Sequence, residues 1–158
     1  NDISAGEKDL KMFETIIILD VPYIMMHMQG DSKNMQVNPK YEDVNSDIIS
    51  FFEQKVKYLN TKGFKKIIID PGFGFGKTIE HNYEILKNLK RFRELNLPIL
   101  AGLSRKSMIY NLLETSAEKA LNGTSIANTI SLLNGAKILR VHDVKQAVEC
   151  IRIYNMIK

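Results

Sequence analysis

The sequence predicts an α/β fold on a parallel sheet, namely a (β/α)8 TIM barrel of which these residues form the C-terminal part, about five of eight βα units. Three observations predict it. Four short apolar runs do not alternate, amphipathic stretches separate them, and polar residues gather where each run ends.

The runs are YIMMHM from Tyr23, KIIID ending at Asp70, PILAG from Pro98 and KILRV ending at Val141. Their lack of alternation means that both faces are covered, as in a parallel sheet. The clearest helix spans residues 42–61, with Ile48, Ile49, Phe52, Val56 and Leu59 on one face and Gly63 as its stop. The same spacing recurs at Ile85, Leu86, Leu89 and Phe92; at Ile126, Ala127, Ile130 and Leu133; and at Val144, Ala147, Val148, Ile151 and Tyr154. Each stripe is expected to face the core.

Such alternation gives either a doubly wound sheet or a barrel. The polar residues at the run ends are Asn1 and Asp2; His27 and Gln29; Asp70; Ser104, Arg105 and Lys106; and Arg140, His142 and Asp143. A barrel brings all of them to one mouth, whereas an open sheet spreads them along an edge. Four complete units and the end of a fifth, against about 250 residues for a whole barrel, make residues 1–158 the C-terminal portion of a single domain.

With 44% hydrophobic residues the chain can bury one sizeable core. Its net charge of +4 is scattered, without a basic run or an aromatic-basic stripe, so nucleic acid is not an expected partner and small anionic substrates are. One cysteine, Cys150, excludes an internal disulfide framework and a cysteine metal cluster, and reads as a small apolar helix residue. The apolar run at residues 16–19 is too short to span a bilayer and no signal-peptide pattern precedes it. A soluble cytoplasmic protein is expected, and the opening NDIS reads as the continuation of a longer chain.

The stretch DPGFGFGKT, residues 70–78, invites a phosphate-binding reading that its spacing refuses. Only three residues separate Gly72 from Gly76, one short of a P-loop, and G-x-G-x-G is not the dinucleotide fingerprint. The glycines instead suit a sharp loop after a strand that lets a flat ring or second substrate approach, with Phe73 and Phe75 outside the core. Asp70, at the end of an apolar strand, reads equally as a cap, as a salt-bridged core carboxylate, or as an acceptor for a side-by-side pair of N–H donors. Ser104 and Lys106 stand at a strand mouth, and a helix cap with a solvated lysine explains them as well as a Ser–Lys pair does. Arg140 and His142 alternate and share a face, as an anion cradle would require, while Met25, Met26 and Met28 suit plain core packing. His27 and His81 read as structural histidines.

The segments NDIS, MMHMQG, DPGFGFGKTIEHN, GLSRKSMI and RVHDV, in this order, resemble dihydropteroate synthase of the pterin-binding family. The resemblance implies a (β/α)8 barrel of folate biosynthesis, a transferase that joins 6-hydroxymethyl-7,8-dihydropterin pyrophosphate to p-aminobenzoate and releases pyrophosphate. It implies pterin contacts from Asn1, Met26, Asp70, Lys106 and Arg140, p-aminobenzoate contacts from Phe75 and Ser107, and pyrophosphate contacts from Ser104, Arg140 and His142. Lys106, Arg140 and His142 become the catalytic group, and Mg²⁺ and a homodimer are further expectations. The family's metal-binding asparagine, and an arginine and an aspartate of its first three strands, would lie upstream of Asn1, so no metal ligand is expected here, their loss counts against activity of the segment alone, and the segment alone would be poorly soluble. Two other readings share the pterin: a non-catalytic pterin-binding fragment, and a pterin-dependent methyltransferase barrel, which has no need of SRKS beside the glycine-rich loop.

Overall fold

The computed structural model describes residues 1–30, 35 and 39–158. In chain order the elements are α1 (Met12–Leu19), β1 (Tyr23–Met26), α2 (Val44–Thr61), β2 (Ile67–Asp70), α3 (Ile79–Asn88) continued by a 3₁₀ segment (Leu89–Leu95), β3 (Leu100–Ala101), α4 (Ser107–Tyr110), α5 (Leu121–Leu133), β4 (Ile138–Leu139) and α6 (Val144–Met156).

Parallel pairing runs through the strands in sequence order. β1 pairs with β2 from Tyr23↔Ile67 to Met26↔Asp70, and β3 pairs with β4 from Leu100↔Ile138 to Ala101↔Leu139. Single parallel bridges, Ile69↔Ile99 and Asp2↔Met25, join the two pairs and add the chain start beside β1. A doubly wound sheet reverses its strand order part-way. This order does not reverse, so the described residues form an arc of consecutive βα units. The arc is open, and no barrel closes among them.

Local chemistry sets the helix ends. Asp43 caps α2 by accepting from the Ser46 backbone N–H at 2.7 Å, and Gly63, at φ +79°, ends it in the left-handed conformation. Ile48, Ile49, Phe52 and Leu59 are buried, as the periodicity predicts, and Ile85, Leu86, Leu89 and Phe92 likewise. Thr78 caps α3 reciprocally: its hydroxyl accepts from the His81 N–H at 3.1 Å while the His81 ring accepts from the Thr78 N–H. His81 is therefore structural, as expected.

The C-terminal helices differ from expectation. In α5 the buried face is small and polar, Gly123, Thr124, Ala127, Asn128, Ser131 and Leu132, and the Ile126, Ile130 and Leu133 side of the stripe is exposed. In α6 only Ala147 and Cys150 are buried, and Val144, Val148 and Ile151 face outward. The small face of α5 packs inward, Gly123 lying against Ile109 and Leu113, and leaves the larger apolar side chains of the helix outside. No helix among the described residues is long and apolar enough to cross a membrane.

Candidate active site

The ends of β1, β2, β3 and β4 lie side by side in the arc, and their polar residues assemble around Asp70. The Asp70 side chain is 1% exposed. Its Oδ1 accepts from the Gly72 N–H at 2.8 Å, while Oδ2 is buried without a hydrogen-bond partner. Burial pushes the Asp70 carboxyl above its ordinary range, against the Gly72 hydrogen bond and the charges of Lys106, Arg140 and Lys77. Met26, also buried, faces Asp70 directly across the β1–β2 ladder.

The glycine-rich loop answers to its own backbone first. A Cβ on Gly72 would fall 1.9 Å from the His27 carbonyl oxygen, and one on Gly76 would fall 2.3 Å from that of Gln29. Two of the three glycines are thus required by close packing on the chain after β1. The expectation that they open the loop to a ligand is corrected for these two. Phe73 corrects a second expectation, because its side chain is wholly buried in the main hydrophobic cluster. Turning at every second residue, the loop points one phenylalanine inward and leaves the other, Phe75, half-buried at the surface.

Lys106 reaches back over this loop. Its Nζ donates to the Phe73 carbonyl and stands 4.6 Å from the centre of the Phe75 ring, a cation–π contact. Burial, together with the Arg140 charge, pushes the Lys106 ammonium down to about 8 against the pull of Asp70. Ser107 follows as the first residue of α4 and is half-buried.

Arg140 and His142 lie past the last strand, which ends at Leu139, so the common face expected from strand alternation is not what aligns them. The Arg140 backbone N–H still bonds the Ala101 carbonyl at 3.0 Å, and its guanidinium crosses Gly102, where a Cβ would meet Nη2 at 2.8 Å. Ser104 Oγ lies 2.9 Å from His142 Nδ1 and accepts from the His142 backbone N–H at 3.2 Å. His142 is itself exposed. Arg105 points away from the site, in a bidentate pair with Asp143 at 2.8 and 2.9 Å that fastens the β3 and β4 loops together.

The structure thus brings Asp70, Met26, Phe75, Lys106, Ser104, Arg140 and His142 to one end of the sheet. Asn1 is exposed beside Asp2, which bridges to β1. Sequence reasoning missed two residues. Asn82 is buried on α3, accepting from the Gly74 N–H at 2.7 Å and donating to the Thr78 carbonyl at 2.6 Å. Lys77 is buried beneath the loop. The position of Asn82 one turn into a capped helix and of Lys77 between a glycine and a cap were the available signals.

The pterin-binding enzyme profile matches residues 1–142 of the chain. The chain belongs to the pterin-binding enzyme family. It is 41% identical to the dihydropteroate synthase of Haemophilus influenzae over 157 residues, 98% of this chain and 57% of that protein. Among solved structures it superimposes on Yersinia pestis dihydropteroate synthase in a sulfonamide drug complex with a TM-score of 0.94 and 39% identity, over 99% of this chain and 57% of the other. It is similar also to Xanthomonas albilineans dihydropteroate synthase in complex with 7,8-dihydropteroate, with a TM-score of 0.90, 33% identity, and 99% of this chain against 58% of that one covered. The chain spans about half the length of the curated relatives it matches.

Proposed function

We propose that these residues serve dihydropteroate synthesis: the condensation of 6-hydroxymethyl-7,8-dihydropterin pyrophosphate with p-aminobenzoate to 7,8-dihydropteroate and pyrophosphate. The observation that carries it is the Asp70 carboxylate, buried with Oδ2 unpartnered and flanked by the charges of Lys106 and Arg140. A buried carboxylate oxygen left without a donor is costly, and a pterin ring supplies the N3–H and 2-amino donors together. Lys106 donates to the ring from above, and Met26 lines the same pocket. Phe75 and Ser107 meet p-aminobenzoate. Asn1 completes the pterin contacts.

In the reaction the amine nitrogen forms a bond to the pterin methylene carbon as the carbon–oxygen bond to pyrophosphate breaks and the amine gives up a proton. Arg140 and the Ser104-oriented His142 meet the departing anion where its charge grows, and the pockets align amine and carbon for attack. No three His, Cys, Asp or Glu side chains gather into a metal site among the described residues. No step here runs through the Mg²⁺ that the family resemblance implies. The arc continues into a closed (β/α)8 barrel in the complete protein, which acts in the cytoplasm as a homodimer. Consecutive strand order supports the barrel, and the exposed apolar stripes of α5 and α6 support the dimer.

The test is pyrophosphate release by the complete protein with and without p-aminobenzoate. Amine-dependent release is expected. Pterin binding without release, or release indifferent to the amine, would refute synthesis and leave a pterin-binding role.

A further inference from the structure

We propose that Lys77 is a positioning residue of this site, whose ammonium group holds the glycine-rich loop shut against the end of β1 and so fixes Phe75 beneath Lys106. The clamp itself stands on geometry, and its kinetic consequence rests on the substrates proposed above.

The Lys77 side chain is 3% exposed. A buried ammonium is unfavourable unless each of its three donors finds an acceptor. Lys77 Nζ finds all three: the Gly72 carbonyl at 3.0 Å, the Phe75 carbonyl at 2.9 Å and His27 Nδ1 at 3.1 Å. These come from the start of the loop, from its tip and from the chain leaving β1, so one cation ties three backbone segments together. For Nδ1 to accept, the His27 ring must be neutral with its proton on Nε2. Burial, with the facing Lys77 charge and a smaller contribution from Lys55 on α2, pushes His27 down to about 2. Burial pushes the Lys77 ammonium down to about 7, Lys106 adding to that and Asp70 opposing it, and the three acceptors are what favour its charged form there.

The clamp has little slack. Gly72 and Gly76 press on the His27 and Gln29 carbonyls from the same side. The loop so held presents the Phe73 carbonyl to Lys106 and the Phe75 ring beneath it. With every donor of Lys77 engaged inside the protein, none remains for a phosphate. The lysine that makes this stretch look like a P-loop is used to build the loop. Asp70 belongs to β2 and keeps its place by strand pairing, so release of the clamp falls on the amine side of the site.

The experiment compares Lys77→Met, His27→Leu and His27→Gln in the complete protein. Lys77→Met keeps the buried stem and removes the donors. It is expected to raise the KM for p-aminobenzoate about tenfold while the Kd for the dihydropterin pyrophosphate stays within about threefold, a split a general loss of structure would not produce. Without substrate, exchange of the Gly74 and Phe75 amide hydrogens is expected to speed up by on the order of tenfold. His27→Leu removes one acceptor and shifts both readouts the same way by about threefold, whereas His27→Gln restores an acceptor and stays near the parent. Should Lys77→Met not fold, the two His27 variants carry the comparison. Unchanged exchange and KM, or equal weakening of both substrates, overturns the proposal. Absence of amine-dependent turnover in the parent refutes the substrates instead, and amide exchange still decides the clamp.

Discussion

The loop at residues 70–78 and the helix pair α5–α6 depart from the usual partition of residues in opposite senses. In the loop the polar groups are inside: Asp70 and Lys77 are buried, and Asn82 beneath them as well. On the helices the apolar groups are outside, with Ile126 at 54% exposure and Val144 at 65%. Neither arrangement is favourable for the segment alone. A buried carboxylate oxygen without a donor is relieved by a small molecule that brings N–H groups. An uncovered apolar stripe is relieved only by another surface. The two regions show that polarity in the wrong place marks where association is expected, and that its sign tells which kind.

The largest effect is expected where the loop is structural. Phe73→Ala removes a wholly buried ring from the core and should lower stability by about 3–5 kcal/mol, read as a fall in the urea midpoint at unchanged slope. Phe75→Ala, half-buried a turn further on, should lose far less stability and act on p-aminobenzoate affinity. Equal stability losses at the two positions would break the division of the loop into an inner and an outer phenylalanine.

Asp70→Asn comes next. It keeps an acceptor for the Gly72 N–H but loses the charge that pairs with two donors, a difference of about 1.5–3 kcal/mol, or roughly 10–100-fold in pterin affinity measured by calorimetry. The midpoint of unfolding should hold or rise, because the buried carboxyl is already pushed toward its neutral form. Undiminished affinity would remove the central support for the pterin reading.

How far the sequence reached follows from the same contrast. Strand order, the α2 and α3 stripes, the stop at Gly63 and the residues at the strand ends were legible because periodicity and local chemistry decide them. The direction of Phe73 was not, since composition marks a loop as polar and glycine-rich without saying which side chain turns inward. The faces of α5 and α6 were misread for a related reason. An apolar stripe at helical spacing says that a face will be covered, not whether the cover comes from the helix's own chain. Lys77 was legible as a residue and not as a clamp, because its three acceptors come from two backbone carbonyls and a ring 50 positions away.

The smallest expected effect on the single chain is on the helix pair, and it sharpens the comparison most. Ile126→Ser with Ile130→Ser replaces two outward side chains, at 54% and 38% exposure, that touch the core little. Stability of the protomer should change by no more than about 0.5 kcal/mol per site, the ordinary range for surface substitutions. Self-association of the complete protein is a different matter, since each isoleucine buried at an interface contributes about 1.5–3 kcal/mol. Sedimentation is therefore expected to show a shift toward the monomer while the melting curve of dilute protein stays put. A loss of folded protein at every concentration would instead mean that this face belongs to the chain's own core, and the opposition between a loop built for a small molecule and a helix pair built for a protein surface would fall with it.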